Sequence, residues 1–227
     1  MADPASRAGL AGFLAGAPVS DLSPILCADG VRRCFGDRAV IDHMDLSVAP
    51  GERVGLHGPN GSGKTTALRC IAGTLEPHGG SIAINGHPAG SRRARELVGL
   101  SLSQERSFYL RLTGRENLLF FARCRGLGGR AAERRVAELE HELCIKHILE
   151  ERASNCSTGM LQQMALARAL LGSPSLLILD DPTRSLDDAA ITRLWDALDR
   201  RSSAAVVIAS HVVADLERCD RVIELPV

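Results

Sequence analysis

A glycine-rich run near residue 60 has the composition of a phosphate-binding loop. The run consists of Gly58, Pro59, Asn60, Gly61, Ser62, Gly63, Lys64, Thr65 and Thr66. Glycine adopts backbone angles that residues with a Cβ avoid, so successive N–H groups can turn toward one anion. Lys64 can reach the β- and γ-phosphates of a nucleotide as a point charge, and the Thr65 hydroxyl is placed to ligate Mg²⁺. The run therefore predicts nucleotide binding.

The residues around this loop supply the elements that such chemistry requires. Residues 53–57 have the pattern of a short strand and residues 64–72 that of a helix, which is the strand, loop and helix order of a Walker A motif. The helix begins near Gly63 and directs the positive end of its macrodipole at the same anion. The alternative is a chance glycine-rich turn, which the match of all eight residues from Gly58 to Thr65 disfavours.

A second group of polar residues follows two predicted strands further along the chain. Residues 176–179 form an apolar strand, and Asp180 and Asp181 come directly after it. P-loop proteins hold Mg²⁺ through a Walker B aspartate at this place, so Asp180 is the predicted metal ligand. His211 follows the predicted strand 204–209, and α/β sheets gather functional groups at the carboxyl ends of strands. A single histidine is usually structural, but this position makes His211 a candidate.

An aromatic residue precedes the loop in a region of β-like alternation. Residues 30–48 are predicted to form an antiparallel flap that turns at Gly36-Asp37. Phe35 lies at this turn and could stack on an adenine ring. Its spacing is equally compatible with a ring that fills the core of the flap.

The middle of the chain predicts helices. Thr113 and Glu116 form a capping box that opens a helix over residues 116–125, after a strand at 97–103 that ends next to Gln104. A second amphipathic helix contains Val136, Leu139 and Leu143 at helical spacing. His141 and His147 are six residues apart and are interpreted as solvated surface residues. No metal site is assigned to side chains alone.

A further helix start lies near residue 157. Ser157 is a good N-cap for a helix that runs through Leu171, and Gly159 leaves the helix start open to an approaching anion. Taken alone, this is an ordinary helix start. Strands that alternate with helices along the chain predict an α/β fold with a mostly parallel sheet covered on both faces.

Composition excludes some classes of protein and favours others. The 227 residues contain 27 Lys plus Arg and 27 Asp plus Glu, so no overall basic field attracts nucleic acid or an anionic membrane. Seven scattered cysteines without a Cys-x-x-Cys pair are typical of reduced thiols in a cytosol. No apolar run approaches the ~20 residues that span a bilayer. Residues 1–22 are predicted to be a disordered leader rather than a secretion signal.

The order of these motifs resembles that of the ATP-binding cassette (ABC) ATPases over about residues 28–225. The resemblance implies a P-loop NTPase (RecA-like) core with a mostly parallel sheet, an antiparallel β flap and an inserted helical subdomain at about 105–165, in a domain that spans 23–227. It rests on six motifs in the family's order. They are Phe35, the Walker A loop, Gln104, Cys156-Ser157-Thr158-Gly159-Met160, Asp180-Asp181 with Ser185-Leu186-Asp187, and His211.

The resemblance also implies a role for each candidate residue. Phe35 would stack on adenine, Gln104 would sense Mg²⁺ and the attacking water, and His211 would contact the γ-phosphate. Ser157, Gly159 and Met160 would clamp the ATP that is bound on a second cassette, homomeric or heteromeric, so that two cassettes close head-to-tail. Asp187 would lie at that interface, and the helical subdomain would carry a groove for an integral membrane permease.

Two departures from the family pattern bear on activity. Asp181 stands where the family usually has a catalytic glutamate. Its side chain is one methylene shorter than that of glutamate, which predicts slow ATP turnover. Cys156 replaces the usual Tyr or Leu before Ser157.

The resemblance favours an ATPase subunit of an exporter, cytoplasmic and peripheral on the inner face of the membrane. The alternatives are a catalytically weak regulatory cassette and a non-transport ABC ATPase; no nucleic-acid partner is expected.

Overall fold

The computed structural model describes residues 23–102 and 107–225, which fold into two sheets with helices around them. The predicted leader at 1–22 and the predicted sensor Gln104 lie outside these residues. The strands are β1 (Leu26–Phe35), β2 (Arg38–Val48), β3 (Arg53–His57), β4 (Gly79–Ile84), β5 (His87–Pro88), β6 (Val98–Ser101), β7 (Leu176–Asp180), β8 (Ala205–Ala209) and β9 (Arg221–Glu224).

The helices cover the sheets and connect their strands. They are α1 (Lys64–Ile71), α2 (Arg92–Leu97), α3 (Gly114–Cys124), α4 (Gly129–Leu143), α5 (Lys146–Glu150), α6 (Thr158–Ala169), α7 (Asp188–Asp199) and α8 (Val213–Leu216), with a 3₁₀ turn at Ala153–Asn155.

The central sheet has the strand order β6-β7-β8-β3-β9, and all its neighbouring pairs are parallel. Strands β7 and β8 are buried along their whole length, as expected for strands that are covered on both faces. The predicted α/β fold with a mostly parallel sheet is therefore confirmed. Because the strands are parallel, β3, β7 and β8 end at the same edge of the sheet, where the candidate residues follow them.

The antiparallel sheet is larger than the predicted flap. Its order is β2-β1-β4-β5, and β1 and β2 pair around the predicted turn at Gly36-Asp37. Strand β4 pairs with β1 in antiparallel register, from Leu26 opposite Ile84 to Asp29 opposite Ser81. The inward residues Ile82 and Ile84 join the same buried cluster as β1, β2 and α1. Burial of the β4 face that carries Ile82 and Ile84 explains why β4 belongs to the antiparallel sheet.

The helical region packs around a second buried cluster. Val136, Leu139 and Leu143 lie fully or almost fully buried on one face of α4, which confirms the predicted amphipathic helix. Transfer of each such side chain out of water contributes about 1.5–3 kcal/mol. The capping box at Thr113 and Glu116 is present, with both reciprocal hydrogen bonds formed, and it opens α3. His141 and His147 are exposed, as predicted. The boundaries of a helical subdomain at 105–165 stay a prediction.

Several predicted element ends differ from those in the structure. The strand predicted at 97–103 is β6, which begins at Val98 because the short helix α2 extends through Leu97. The helix predicted to run through Leu171 ends at Ala169, and its last N–H groups bond within the final turn. Asp181 lies just outside β7, in a left-handed conformation with φ of 44°.

Candidate functional site

The glycine-rich loop connects β3 to α1, as the sequence predicts. Gly63 is the N-cap of α1 with φ of 93°, a conformation that favours glycine, and no side chain caps the helix. A Cβ at Gly63 would lie 2.8 Å from the carbonyl oxygen of Val40 in β2, so the antiparallel sheet presses against the loop. The first N–H groups of α1 have no intrahelical partner and can bind an anion.

Lys64 lies over the loop that it terminates. Its Nζ donates to the carbonyl oxygens of Gly58 at 2.5 Å and Pro59 at 2.9 Å. The ammonium group therefore lies against the backbone at the start of the loop. The Ser62 hydroxyl is buried inside the loop and has no hydrogen-bond partner. A buried polar group of this kind is costly unless it is satisfied, so it fits a loop that closes on a polar ligand.

The predicted metal ligands are brought together from distant parts of the chain. Thr65 Oγ1 donates to Asp180 Oδ2 at 2.9 Å, although the two residues are 115 positions apart. Asp180 is 2% exposed at the end of β7. A hydroxyl and a carboxylate are oxygen ligands of the type that Mg²⁺ uses, and Mg²⁺ takes its remaining ligands from water and phosphates. The residues therefore fit a magnesium ion that is shared with a nucleotide.

Asp181 and His211 form a pair beside the loop. His211 Nδ1 lies 2.8 Å from Asp181 Oδ1. A carboxylate oxygen only accepts, so Nδ1 is the donor in this hydrogen bond and Nε2 is left for other contacts. The backbone N–H of Asp181 donates to the Ala209 carbonyl at 2.7 Å, which fixes the left-handed turn at the end of β7.

One cavity connects the loop to this pair. It has a volume of about 570 Å³, and its lining consists of His57, Gly58, Pro59, Asn60, Asp181, Arg184 and His211. The cavity is thus lined by the first three residues of the predicted loop, the predicted catalytic carboxylate and the predicted histidine. Arg184 adds a cation that was not predicted from the sequence as a site residue.

Asp215 is a buried residue that sequence reasoning missed. It is 2% exposed, and its Oδ2 accepts from Thr183 Oγ1 and from Ser210 Oγ, each at 2.8 Å. Burial raises the pKa of the Asp215 carboxyl above its ordinary value, against the lowering effect of these two hydrogen bonds. No local pattern identifies it, since it is one acidic residue in a four-residue helix and its partners come from two loops.

The corner at Ser157–Met160 is a capped helix start at the beginning of α6. Ser157 Oγ accepts from the Met160 N–H at 3.2 Å, and Met160 Sδ accepts from the Ser157 N–H at 3.5 Å. Ser157 and Thr158 are exposed. A Cβ at Gly159 would lie 2.3 Å from the Ser185 carbonyl oxygen, so the approach of loop 182–187 requires glycine there. Cys156 donates its thiol to the Arg152 carbonyl at 3.5 Å.

Phe35 is 51% exposed at the end of β1, so the interpretation in which its ring fills the core of the flap is wrong. The Arg33 guanidinium lies 4.9 Å from the ring centroid, in a cation–π arrangement. An exposed ring of this kind can stack on a nucleotide base.

The described residues offer neither a metal cluster nor a membrane-spanning helix. Across 23–102 and 107–225, no group of three or more His, Cys, Asp or Glu side chains is arranged to hold a metal ion. Within the same ranges, none of the helices has the length and apolarity needed to cross a bilayer. Any metal at the Thr65 and Asp180 oxygens would therefore need ligands from a bound phosphate or water.

The parallel sheet, the glycine-rich loop and the Thr65–Asp180 contact define a P-loop nucleotide-binding fold. The chain belongs to the ABC transporter family, whose model matches residues 41–184. Among similar solved structures, an ATP-binding subunit of an ABC transporter has a TM-score of 0.81 at 30% identity, covering 88% of this chain and 85% of that one. The dimeric post-hydrolysis state of an ATP-binding cassette bound to ADP and Pi, 23% identical with a TM-score of 0.79, covers 88% of this chain and 94% of that one and supports the fold.

Curated relatives give the same family. An uncharacterized ABC transporter ATP-binding protein of Bacillus subtilis is 36% identical over 206 residues, which are 88% of this chain and 66% of that protein. A Nod factor export ATP-binding protein I of a Rhizobium species is 36% identical over 202 residues, which are 85% of this chain and 64% of that protein. The chain thus spans slightly less than two thirds of the length of these relatives.

Proposed function

We propose that this chain binds MgATP and hydrolyses it as the ATP-binding subunit of a transporter. The observation that carries the proposal is the contact between Thr65 Oγ1 and Asp180 Oδ2 at 2.9 Å, beside an ammonium group held over the phosphate loop. Two residues 115 positions apart are brought together there as hard oxygen ligands next to an anion cradle. Few functions other than binding a metal nucleotide need that combination.

Each residue of the site has a part in this function. The loop amides and Lys64 bind the phosphates, and the exposed ring of Phe35 stacks on the base. Thr65 and Asp180 would hold Mg²⁺, which neutralises charge on the phosphates when it is bound. With Nδ1 engaged by Asp181, the Nε2 atom of His211 is proposed to contact the γ-phosphate, and Asp181 is the carboxylate that orients water and accepts its proton. Gln104 keeps its proposed role as a sensor of metal and water.

The second half of the nucleotide site is proposed to come from another cassette. Ser157, Gly159 and Met160 do not line the cavity beside Asp181 and His211. Ser157 is exposed while Gly159 and Met160 are half-buried, and a helix N-terminus attracts anions. Two copies that close head-to-tail would place this corner of one copy on the phosphates bound by the other. Nucleotide binding then favours the closed pair, and hydrolysis releases it.

The partner that uses this cycle is proposed to be an integral membrane permease. An exposed aromatic surface supports the proposal, since Tyr109 is 51% and Phe120 38% exposed, with ring centroids 4.9 Å apart. Leu110 beside them is 59% exposed. Exposed apolar patches of this kind mark interaction surfaces. Reversal of the charge at the neighbouring Arg111, by Arg111→Glu, should uncouple ATP turnover from the permease at unchanged nucleotide affinity; retained coupling would count against this surface.

Export is the proposed direction because several relatives are named Nod factor export proteins. The site on this chain is proposed to work on the cytoplasmic side, peripheral to the membrane through the permease.

A second candidate function is a weak regulatory cassette paired with a competent one. The short side chain of Asp181 favours it, because a carboxylate that does not reach the water leaves turnover slow.

One experiment separates the two candidates. Turnover and magnesium-dependent ATP binding are measured on the purified wild type and on Asp181→Asn. If the chain is an active ATPase, we expect measurable wild-type turnover that falls by about 10²-fold or more in Asp181→Asn, with ATP affinity preserved. Equal, near-zero turnover in both proteins, together with tight ATP binding, would favour the regulatory cassette over the enzyme. Absence of magnesium-dependent binding would overturn both.

A further inference from the structure

A single buried oxygen joins two loops of the site. Asp215 Oδ2 accepts one hydrogen bond from Thr183 and one from Ser210, and all three residues are at most 7% exposed. Asp215 does not line the cavity at the phosphate loop. Both hydroxyls depend on this one atom, so removal of the acceptor would leave two buried donors without it.

The two hydroxyls belong to the loops that carry the reacting side chains. Ser210 is adjacent to His211, and its Oγ also accepts from the Val212 N–H at 3.0 Å, so Ser210 fixes the turn on both sides of the histidine. Thr183 follows Asp181 by two residues, in loop 182–187. Asp215 therefore bonds both to the loop that follows Asp181 and to the residue that precedes His211. These are the two side chains that lie 2.8 Å apart.

The same loop continues to the helix start at Ser157–Met160. Gln162 Nε2 donates to the Pro182 carbonyl at 3.4 Å, and the Ser185 carbonyl lies against Gly159 so closely that a Cβ would be 2.3 Å away. Loop 182–187 thus contacts Asp181, one member of the Asp181–His211 pair (the hydrolytic pair), through the Arg184 N–H, and it also contacts the corner that would clamp a nucleotide on another copy.

We propose that Asp215 is a positioning residue that locks loop 182–187 to the turn at His211, so that the hydrolytic pair and the Ser157–Met160 corner move together. The proposal rests on the proposed ATPase function. A released loop lets Asp181 and His211 drift, and a displacement of about 1 Å at reacting groups costs about 10²-fold in rate. Phosphate binding by Lys64 and the loop amides does not depend on Asp215, so affinity should change little.

The test compares variants that keep or remove the acceptor. In Asp215→Asn the amide oxygen can still accept both hydroxyls, whereas Asp215→Ala removes the acceptor. We expect kcat to fall about 10- to 100-fold in Asp215→Ala, with Kd for MgATP within about threefold of wild type, and Asp215→Asn to recover most of the turnover. Glu217→Ala, which removes an exposed carboxylate at the end of the same helix, is the matched control.

A double-mutant cycle keeps the test valid if Asp215→Ala folds poorly. Ser210→Ala and Thr183→Val each remove one donor, and each should lower kcat by less than the alanine variant does. In the background that lacks both hydroxyls, Asp215→Ala leaves no buried donor unpaired and should have little further effect on kcat, since coupled residues are not additive. Wild-type turnover in Asp215→Ala, or a loss in Asp215→Asn equal to that in Asp215→Ala, would overturn the proposal. A wild type that binds MgATP without hydrolysing it would instead overturn the proposed function.

Discussion

The phosphate loop and the Ser157–Met160 corner are both helix N-termini, and they differ in what the chain places in front of them. At α1 no side chain caps the helix, and Lys64, Thr65 and Asp180 converge on its open end. At α6 the hydroxyl of Ser157 and the sulfur of Met160 close a cap on the helix itself. The first region brings a lysine, a hydroxyl and a carboxylate to an open helix start within one chain, whereas the second is closed by its own cap and brings no such groups to the helix start.

This difference predicts that the two regions fail in different ways. Lys64→Ala should lower turnover by about 10³-fold, since it removes the charge that stabilises the phosphates in the transition state. The chain provides a matched control, because Lys146 is the only other lysine and lies at the start of α5 with a long 3.9 Å pairing to Glu150. Lys146→Ala should leave kcat within about twofold of wild type, as expected for an exposed ion pair. Equal effects of the two substitutions would place the phosphate site elsewhere.

The corner can be tested without loss of its helix cap. Ser157→Asp keeps a good N-cap but places a negative charge where phosphates would approach, and Ser157→Asn keeps the cap without the charge. We expect Ser157→Asp to lower turnover by about 10²-fold, because repulsion of the phosphates removes a contact made only in the closed pair, and Ser157→Asn to retain most of it.

Mixing two inactive proteins tests the head-to-tail arrangement directly. A 1:1 mixture of Lys64→Ala and Ser157→Asp forms mixed pairs in which one composite site has both halves intact. With random pairing and independent sites, the mixture should recover about a quarter of wild-type turnover. Steady-state ATPase assays over a range of mixing ratios measure this recovery. A mixture no more active than its components would show that Ser157 does not serve the nucleotide of another copy.

Asp181→Glu should raise turnover by about tenfold. The added methylene extends the carboxylate toward the water that Asp181 reaches poorly, and positioning of the base controls both the orientation of the water and its proton transfer. Asp180→Glu is the control, because the same extension of the metal ligand next to it should abolish activity. Wild-type turnover in the common range of 1–10³ s⁻¹, with no gain in Asp181→Glu, would show that Asp181 is long enough.

The two regions also differ in how much of them the sequence could predict. The phosphate loop is a local motif, so its residues, its strand and its helix follow from adjacent positions in the chain. Ser157 is predictable as a cap, but the need for Gly159 comes from the Ser185 carbonyl, which is 26 positions away and reaches it only in the folded chain. The role of Asp215 and the pairing of β4 with β1 likewise depend on distant partners that local patterns do not specify.

The smallest expected effect concerns a contact that serves neither region. Glu142 in α4 accepts from Arg200 and Arg201 beyond the end of α7, and its side chain is 16% exposed. Hydrogen bonds from Arg201 lower the pKa of Glu142 below its ordinary value of 4.5, although burial opposes them. Glu142→Gln should reduce the free energy of unfolding by about 1–3 kcal/mol at neutral pH, through the loss of charge-assisted bonds.

The pH dependence of that loss has a definite sign. A carboxyl whose pKa is lowered in the folded state stabilises the fold above its unfolded pKa, and this stabilisation disappears as the pH falls through the folded pKa. Urea unfolding should therefore show wild type and Glu142→Gln converging below about pH 4, with kcat unchanged at neutral pH because Glu142 does not line the nucleotide cavity. Glu138→Gln on the same helix, whose side chain is 51% exposed and pairs with Arg135, is the control and should cost at most about 0.5 kcal/mol. An equal loss at pH 3 and pH 7 would mean that Glu142 acts through packing and not through its charge.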